Sequence, residues 1–141
     1  MINIATYKID ELEEGMSVEF LRTLEREDIE KFAHLTQDFH PLHTSIAYAK
    51  ENGFEDIMAH GLLLSSFSSA LIGMQLPGKN AIVISQSFKY RKPAYPDNTF
   101  QIKGIVNKIQ KKYSRIEVGI KIKAVESGQL IATGNYIVKI R

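Results

Sequence analysis

A carboxylate and three imidazoles are concentrated in one part of the sequence. Asp38, His40 and His43 fall within six residues, and His60 lies 17 residues after His43. An aspartate and a histidine that share one water molecule can move protons in both directions, as the addition of water to a conjugated double bond requires. We therefore interpret Asp38 and His43 as a candidate catalytic pair, with His40 beside them.

Simpler roles stay open for each of these residues taken alone. A single histidine is more often a surface or hydrogen-bonded structural side chain, and a single aspartate more often belongs to a turn or a helix cap. A zinc site built from Asp38, His40, His43 and His60 is a further alternative. We expect no metal, because three of these ligands would crowd one tight turn and a metal-bound His43 could not act as a base.

Gly61 offers a way to stabilise negative charge. It follows His60 at the predicted start of a helix, where backbone N–H groups have no partner within the helix. Such groups stabilise an oxyanion, and a residue without a Cβ atom lets a substrate carbonyl approach closely. A glycine that serves only close helix packing is an equally open interpretation.

The connection that carries the candidate pair is predicted to lie between two short helices. Residues 24–36 mix apolar and charged side chains as an amphipathic helix does, with Thr23 placed to cap it. His34 on this helix is expected to face solvent. Pro41 favours an extended conformation at the residue before it, and a second helix is expected to begin near residues 44–45.

The remaining pattern indicates one helix followed by a sheet. Residues 60–74 are apolar or small on nearly every face, so we expect a core helix enclosed on all sides. Consecutive strands joined by short turns favour an antiparallel meander wrapped around this helix, which is an α+β fold in a single domain, residues 1–141. The strands are predicted at residues 81–90, 99–109, 114–125 and 130–140.

Composition narrows the classes of function. The sequence contains no cysteine, which removes thiolate chemistry and favours a cytoplasmic location. We expect no membrane span, since no stretch approaches roughly 18 apolar residues, and no nucleotide-binding motif is present.

Charge is distributed unevenly along the chain. Residues 1–70 hold 5 basic and 13 acidic side chains, whereas residues 71–141 hold 13 basic and 3 acidic ones. A basic half could meet coenzyme phosphates or an acidic carrier protein, although lysines that only coat strands are the simpler interpretation, and we expect no nucleic-acid binding.

Three segments resemble the hydratase signature of the MaoC-like, R-specific enoyl-CoA hydratase family. They are TQDFHPLH at residues 36–43, AYA at residues 47–49 and AHGLL at residues 59–63, with matching order and spacing. The resemblance extends over most of the chain. Later similarities are LPG at residues 76–78, QSF at residues 86–88 and Pro93.

The resemblance implies the hot-dog fold, a curved antiparallel sheet around a long central helix. It also implies reversible hydration of trans-2-enoyl thioesters to R-3-hydroxyacyl thioesters, with Asp38 and His43 activating one water molecule. The backbone N–H of Gly61 would bind the thioester oxygen, with His60 beside it among the substrate-binding residues. The supporting serine of the central helix corresponds best to Ser69, with Ser66 as the alternative. The substrate would be an acyl-CoA or acyl carrier protein thioester, without a separate cofactor, and the protein would form a homodimer whose sheets join edge to edge.

The sequence departs from the family pattern at the site itself. His40 stands where the family has asparagine, Gln37 replaces a glycine, and Ser45 stands where an aspartate often follows. Asparagine stays neutral, whereas an imidazole can be charged near neutral pH and affect Asp38. Two other functions therefore stay open: a catalytically silent acyl-thioester or carrier-binding homologue, and a hot-dog thioesterase. The second commonly needs a carboxylate on the central helix, and residues 60–74 contain none.

Overall fold

The computed structural model describes residues 2–141 and has one five-stranded antiparallel sheet. The strands are β1 (Ser17–Thr23), β2 (Ala81–Tyr90), β3 (Thr99–Gln110), β4 (Arg115–Ala124) and β5 (Leu130–Ile140). The principal helices are α1 (Arg26–Thr36), α2 (Pro41–Thr44), α3 (Ile46–Glu51) and α4 (Gly61–Ala70). The strand order across the sheet is β1-β3-β4-β5-β2. The arrangement confirms the expected α+β class.

Runs rich in Ile and Val, several of them alternating with polar residues, explain why the four predicted strands are confirmed. In β4, every second side chain is buried, from Ile116 to Ala124, because successive side chains of a strand point to opposite faces. No comparable pattern predicts β1. None of its residues is fully buried, and its apolar side chains are too few to establish a period of two.

The expected meander is correct for β3, β4 and β5 but wrong for β2. This strand pairs with β5 at the far edge of the sheet, although β3 follows it in sequence. The connecting residues 91–98 include Pro93 and Pro96. A connection of this length and proline content does not form the tight turn that a hairpin needs, so the chain passes instead from one side of the sheet to the other.

Helix α4 packs one face on the sheet. Leu63, Leu64 and Ser68 are buried, and the helix continues into a wider π-helical turn at Leu71–Gln75. The expectation that this helix is enclosed on all sides is wrong for the single chain, since Leu62 is 66% exposed. The sheet curves around only one side of the helix and leaves the other side uncovered. Despite this apolar character, no helix within residues 2–141 is long and apolar enough to cross a membrane.

The entry into α1 also differs from the prediction. The helix begins at Arg26 rather than at residue 24, and the Asp28 carboxylate accepts a hydrogen bond from the Glu25 N–H at 2.9 Å. Thr23 is the last residue of β1, and its hydroxyl forms a 2.8 Å hydrogen bond with the Thr99 hydroxyl. Thr23 therefore joins two strands and does not cap the helix.

Candidate active site

The connection between α1 and α2 is shaped by its own backbone and side chains. Helix α1 ends at Thr36, and the next residue, Gln37, has a left-handed conformation with φ 63°. Asp38 follows, and its Oδ1 accepts a hydrogen bond from the N–H of His40 at 3.1 Å. An aspartate often forms this short loop with the backbone two residues further on. The loop holds the Asp38 carboxylate beside the start of α2.

His40 caps helix α2. Its backbone is extended, as predicted from Pro41, and its Nδ1 accepts a hydrogen bond from the Leu42 N–H at 3.2 Å. A helix cap needs an acceptor for one of the unpaired N–H groups of the first turn. An unprotonated imidazole nitrogen supplies that acceptor here, as the amide oxygen of asparagine would. His40, which departs from the family pattern, therefore still caps α2.

His43 is oriented by a backbone carbonyl. Its Nδ1 lies 2.7 Å from the carbonyl oxygen of Met58, and an N–H at this position makes the hydrogen bond. Nε2 is then the unprotonated nitrogen and can accept a proton. Burial lowers the pKa of His43 below its ordinary value of 6.5, and the neighbouring His60 and His40 act in the same direction. The Met58 carbonyl and the Asp38 carboxylate oppose this shift without reversing it.

His60 connects the Asp38 loop to the start of α4. It is only 3% exposed, and its Nε2 lies 3.0 Å from the backbone carbonyl oxygen of Asp38. Its ring stacks on that of His43, with 3.8 Å between centroids and 26° between planes. Its Nδ1 is buried and has no hydrogen-bond partner within residues 2–141. His60 therefore acts as a positioning residue for both members of the candidate pair.

The structure brings Asp38, His43 and His60 together. One side-chain oxygen or nitrogen of each lies within 4.8 Å of the other two. The two imidazoles each use one ring nitrogen on a backbone carbonyl, which is also how metal-binding histidines are often oriented. The three residues could therefore hold a divalent ion, while the expectation of metal-free chemistry stays a prediction. His34 lies outside this cluster and is exposed, as expected.

Gly61 is the first residue of α4, as predicted. A Cβ atom at this position would lie 2.9 Å from Cζ of Tyr90, closer than real Cβ atoms approach other carbons. Packing against this ring is thus one reason for the glycine. The N–H groups of the first turn also have no partner within the helix, so the oxyanion-binding interpretation stays open beside the packing one.

A cavity of about 390 Å³ lies beside His43 and Gly61. His43 and Gly61 line it, together with Tyr90 at the end of β2. Most of its wall is apolar, which suits an acyl chain. Arg91 and Lys92 also line it and are exposed, so they lie where the cavity meets solvent. The apolar part of the wall includes Phe54, Met58, Ala59, Leu64 and Ala94.

The serines of α4 occupy different faces. Ser66 and Ser69, the two candidates from the resemblance, are both exposed, and the Ser66 hydroxyl donates to the Leu63 carbonyl at 2.6 Å. Neither lines the cavity beside His43. The buried serines are Ser65 and Ser68. The Ser65 hydroxyl donates to the Leu62 carbonyl at 3.1 Å, and the Ser68 hydroxyl lies 2.7 Å from that of Tyr136. A role for Ser66 or Ser69 stays a prediction from the resemblance.

Two site components had no functional signal in the sequence. The Met58 carbonyl orients His43, and every residue type carries such a carbonyl. Tyr90 covers Gly61, and only its place as an aromatic residue near the predicted end of a strand distinguished it. Both Met58 and Tyr90 are identifiable only from the three-dimensional structure, in which residues 58–61 lie beside the Asp38 loop.

Comparison with known proteins assigns this arrangement to a family. The profile described as "MaoC like domain" matches residues 10–128. An (R)-specific enoyl-CoA hydratase of Aeromonas caviae is 31% identical over 129 residues, which cover 92% of this chain and 96% of that protein. The solved (R)-hydratase from A. caviae involved in PHA biosynthesis superimposes with a TM-score of 0.87 at 31% identity, and the match covers 92% of this chain and 98% of that one.

A second relative is similar over a shorter region. A mitochondrial 3-hydroxyacyl-[acyl-carrier-protein] dehydratase of Arabidopsis thaliana is 36% identical over 88 residues, or 62% of this chain and 51% of that protein. The match thus spans about half of that relative's length. Three findings agree: the family profile, the similarity to the A. caviae protein over nearly its full length, and the shared sheet-and-helix architecture. The chain therefore belongs to the MaoC-like domain family and has its hot-dog fold.

Proposed function

We propose that this chain catalyses the reversible hydration of trans-2-enoyl thioesters to R-3-hydroxyacyl thioesters, or the reverse dehydration. One observation carries the proposal. The Nε2 of His43 is free to accept a proton, the Asp38 side chain lies within 4.8 Å of His43, and an apolar cavity joins His43 to Gly61 at the start of α4. Named relatives with hydratase and dehydratase activity support the same reaction.

The proposed reaction divides the chemistry between three groups. His43 accepts a proton from water as the water oxygen bonds to the β-carbon of the substrate. The electron pair of the double bond moves toward the thioester oxygen, and the N–H of Gly61 stabilises the negative charge there. Asp38 orients the water and relays the proton that His43 has taken to the α-carbon, which restores the thioester and returns both side chains to their starting states. His60 keeps Asp38 and His43 in register.

We propose that the substrate brings its own carrier group, coenzyme A or the phosphopantetheine of a carrier protein, and that no metal or separate cofactor is needed. The exposed Arg91 and Lys92 beside the cavity suit the phosphates of either carrier. A chain without cysteine also supports the proposed cytoplasmic location.

We further propose a homodimer joined through β2. This strand forms one edge of the sheet and exposes Ile82, Val83 and Ile84 by 43%, 44% and 47%. An exposed edge with apolar side chains tends to pair with another strand. Pairing of two β2 strands would extend the sheet across both copies. It would also bring residues of the second copy over the uncovered face of α4.

Replacement of either member of the pair is expected to abolish most turnover. Asp38→Asn and His43→Ala should each lower kcat/KM for crotonyl-CoA by about two to four orders of magnitude, the range for lost acid-base groups. The loss of enoyl absorbance measures this, with product chirality determined and EDTA present. His34→Ala, a histidine outside the cluster, is the matched control and should keep the wild-type rate. Near wild-type turnover in both Asp38→Asn and His43→Ala would refute the assignment, and sensitivity of the wild type to EDTA would refute metal-free catalysis.

Two replacements of His40 separate capping from chemistry. His40→Asn keeps a side-chain acceptor for the Leu42 N–H, so we expect activity and stability close to wild type. His40→Ala removes the acceptor and is expected to lower the free energy of unfolding by about 1 kcal/mol, with a fall in kcat. Urea denaturation and crotonyl-CoA hydration measure the two effects. Equal loss of activity in both variants, with stability retained in His40→Asn, would show instead that the imidazole takes part in the reaction.

The pH dependence of hydration follows from the protonation state of His43. The base must be unprotonated, and burial lowers the pKa of His43 below 6.5. We therefore expect kcat/KM to be level at neutral pH and to fall as the pH drops through a value below 6.5. Measurement of kcat/KM for crotonyl-CoA over a series of pH values defines this acidic limb of the profile. A limb centred above 6.5 would contradict the assignment of His43 as the base.

Oligomeric state tests the role of the β2 edge. Analytical ultracentrifugation should give twice the mass of the 16.0 kDa chain, and Val83→Lys should shift the protein to monomer. Leu21→Lys places the same charge on β1 at the opposite edge, where Leu21 is 62% exposed, and should leave the dimer intact. A monomeric wild type, or dissociation caused by Leu21→Lys alone, would contradict the arrangement.

A further inference from the structure

Exposed cations lie on the outward face of the sheet and on the residues that follow β2. All of these side chains are exposed, and within residues 2–141 none of them forms an ion pair. We call this set the basic face. It consists of Lys89, Arg91, Lys92, Lys103, Lys121 and Lys123.

Strand register places part of the basic face in one row. Lys103 of β3 lies directly opposite Lys121 of β4. Lys121 is opposite Thr133 of β5, which is in turn opposite Lys89 of β2. Like charges directly opposite each other in a sheet lower stability. Glu19 of β1 lies opposite Lys103 on its other side and offsets part of this repulsion. An acidic surface placed over Lys103 and Lys121 would relieve the rest.

The row leads to the cavity. Arg91 and Lys92 follow Lys89 in the chain, and both line the cavity that contains His43 and Gly61. A ligand whose acyl chain enters this cavity must place its carrier group against the near end of the basic face.

The length of the row decides between small and large carriers. Neighbouring strands are about 4.8 Å apart, so Lys103 lies three strand spacings, or roughly 14 Å, from Lys89. The phosphates of one coenzyme bound at Arg91 and Lys92 cannot also neutralise this distant pair. A protein with an extended acidic surface can meet both ends of the row at once.

We propose that the basic face docks an acidic carrier protein, which presents the enoyl or hydroxyacyl chain on a phosphopantetheine arm. This inference rests on the proposed hydration of enoyl thioesters and names the carrier of its substrate. The carrier protein lies along the row from Lys89 to Lys103, and its phosphopantetheine passes Arg91 and Lys92 into the cavity. Coenzyme A thioesters use only the near end of the basic face.

The test compares one acyl group on two carriers. The crotonyl chain is supplied as crotonyl-CoA and on a purified bacterial acyl carrier protein, and kcat/KM is measured for each. The double variant Lys103→Glu with Lys121→Glu lies away from the cavity. It is expected to lower kcat/KM for the carrier-protein substrate by about tenfold or more, since reversed charges slow association, and to leave kcat/KM for crotonyl-CoA within about twofold of the wild-type value.

A matched control comes from the same sheet. Arg115 and Lys139 are a second exposed pair of cations directly opposite each other, on β4 and β5, and neither lines the cavity. Arg115→Glu with Lys139→Glu makes the same change in net charge and should leave both substrates unaffected. Lys103→Gln with Lys121→Gln is a milder version of the test variant, and circular dichroism establishes that each variant is folded.

Several outcomes overturn the proposal. Unchanged turnover of the carrier-protein substrate in the Lys103/Lys121 variants, or an equal loss in the control pair, excludes docking along the row. An equal loss for crotonyl-CoA shows that the effect lies in the site. Titration calorimetry with the crotonyl-loaded carrier tests docking even if neither substrate turns over, so a failed reaction is distinguishable from failed docking. Binding of RNA or anionic vesicles through these lysines, without carrier binding, also overturns it.

Discussion

Two backbone carbonyls hold the imidazoles of His43 and His60, and the geometry of the site depends on these hydrogen bonds. Met58 accepts from His43 at 2.7 Å, and Asp38 accepts from His60 at 3.0 Å. Each bond contributes only about 0.5–1.5 kcal/mol of net stability. Their directional effect is larger, because each fixes which ring nitrogen carries a proton. Together they join the exposed loop that carries Asp38 to the rigid start of α4.

The fold was predictable where burial on one side imposes a simple period. The alternating residues of β4 and the Val- and Ile-rich runs of β2 and β5 identified these strands almost to the residue. Helix α4 was identified instead by apolar and small residues on nearly every face, and this pattern did not indicate its exposed side. The apolar character of Leu62 indicates that this face needs a cover, whereas only the curvature of the sheet determines whether the same chain supplies it. The pairing of β2 with β5 likewise depends on contacts distant in sequence.

The site was predictable where its parts are close in sequence. A proline-stiffened turn keeps Asp38 and His43 together, and the resemblance added Gly61. The structure gave His40 a role that its type did not indicate, since a cap requires an acceptor and imidazole can replace an amide oxygen. It gave His60 a positioning role through stacking on His43. Spacing also could not separate the serines of α4. Adjacent helical positions differ by about 100° around the axis, so Ser65 and Ser68 are buried whereas Ser66 and Ser69 are exposed.

The fold converts an asymmetry of the sequence into an asymmetry of the surface. The acidic half of the chain forms β1 and the helices, whereas the basic half forms the four strands whose outward side chains include the basic face. If two copies pair through β2, their sheets become continuous and the outward faces lie on one side of the combined sheet. Lys89 of each copy then lies beside the joined edge, because β2 forms that edge. In such a dimer, the apolar edge that joins the copies would place both basic faces on the same side of the combined sheet.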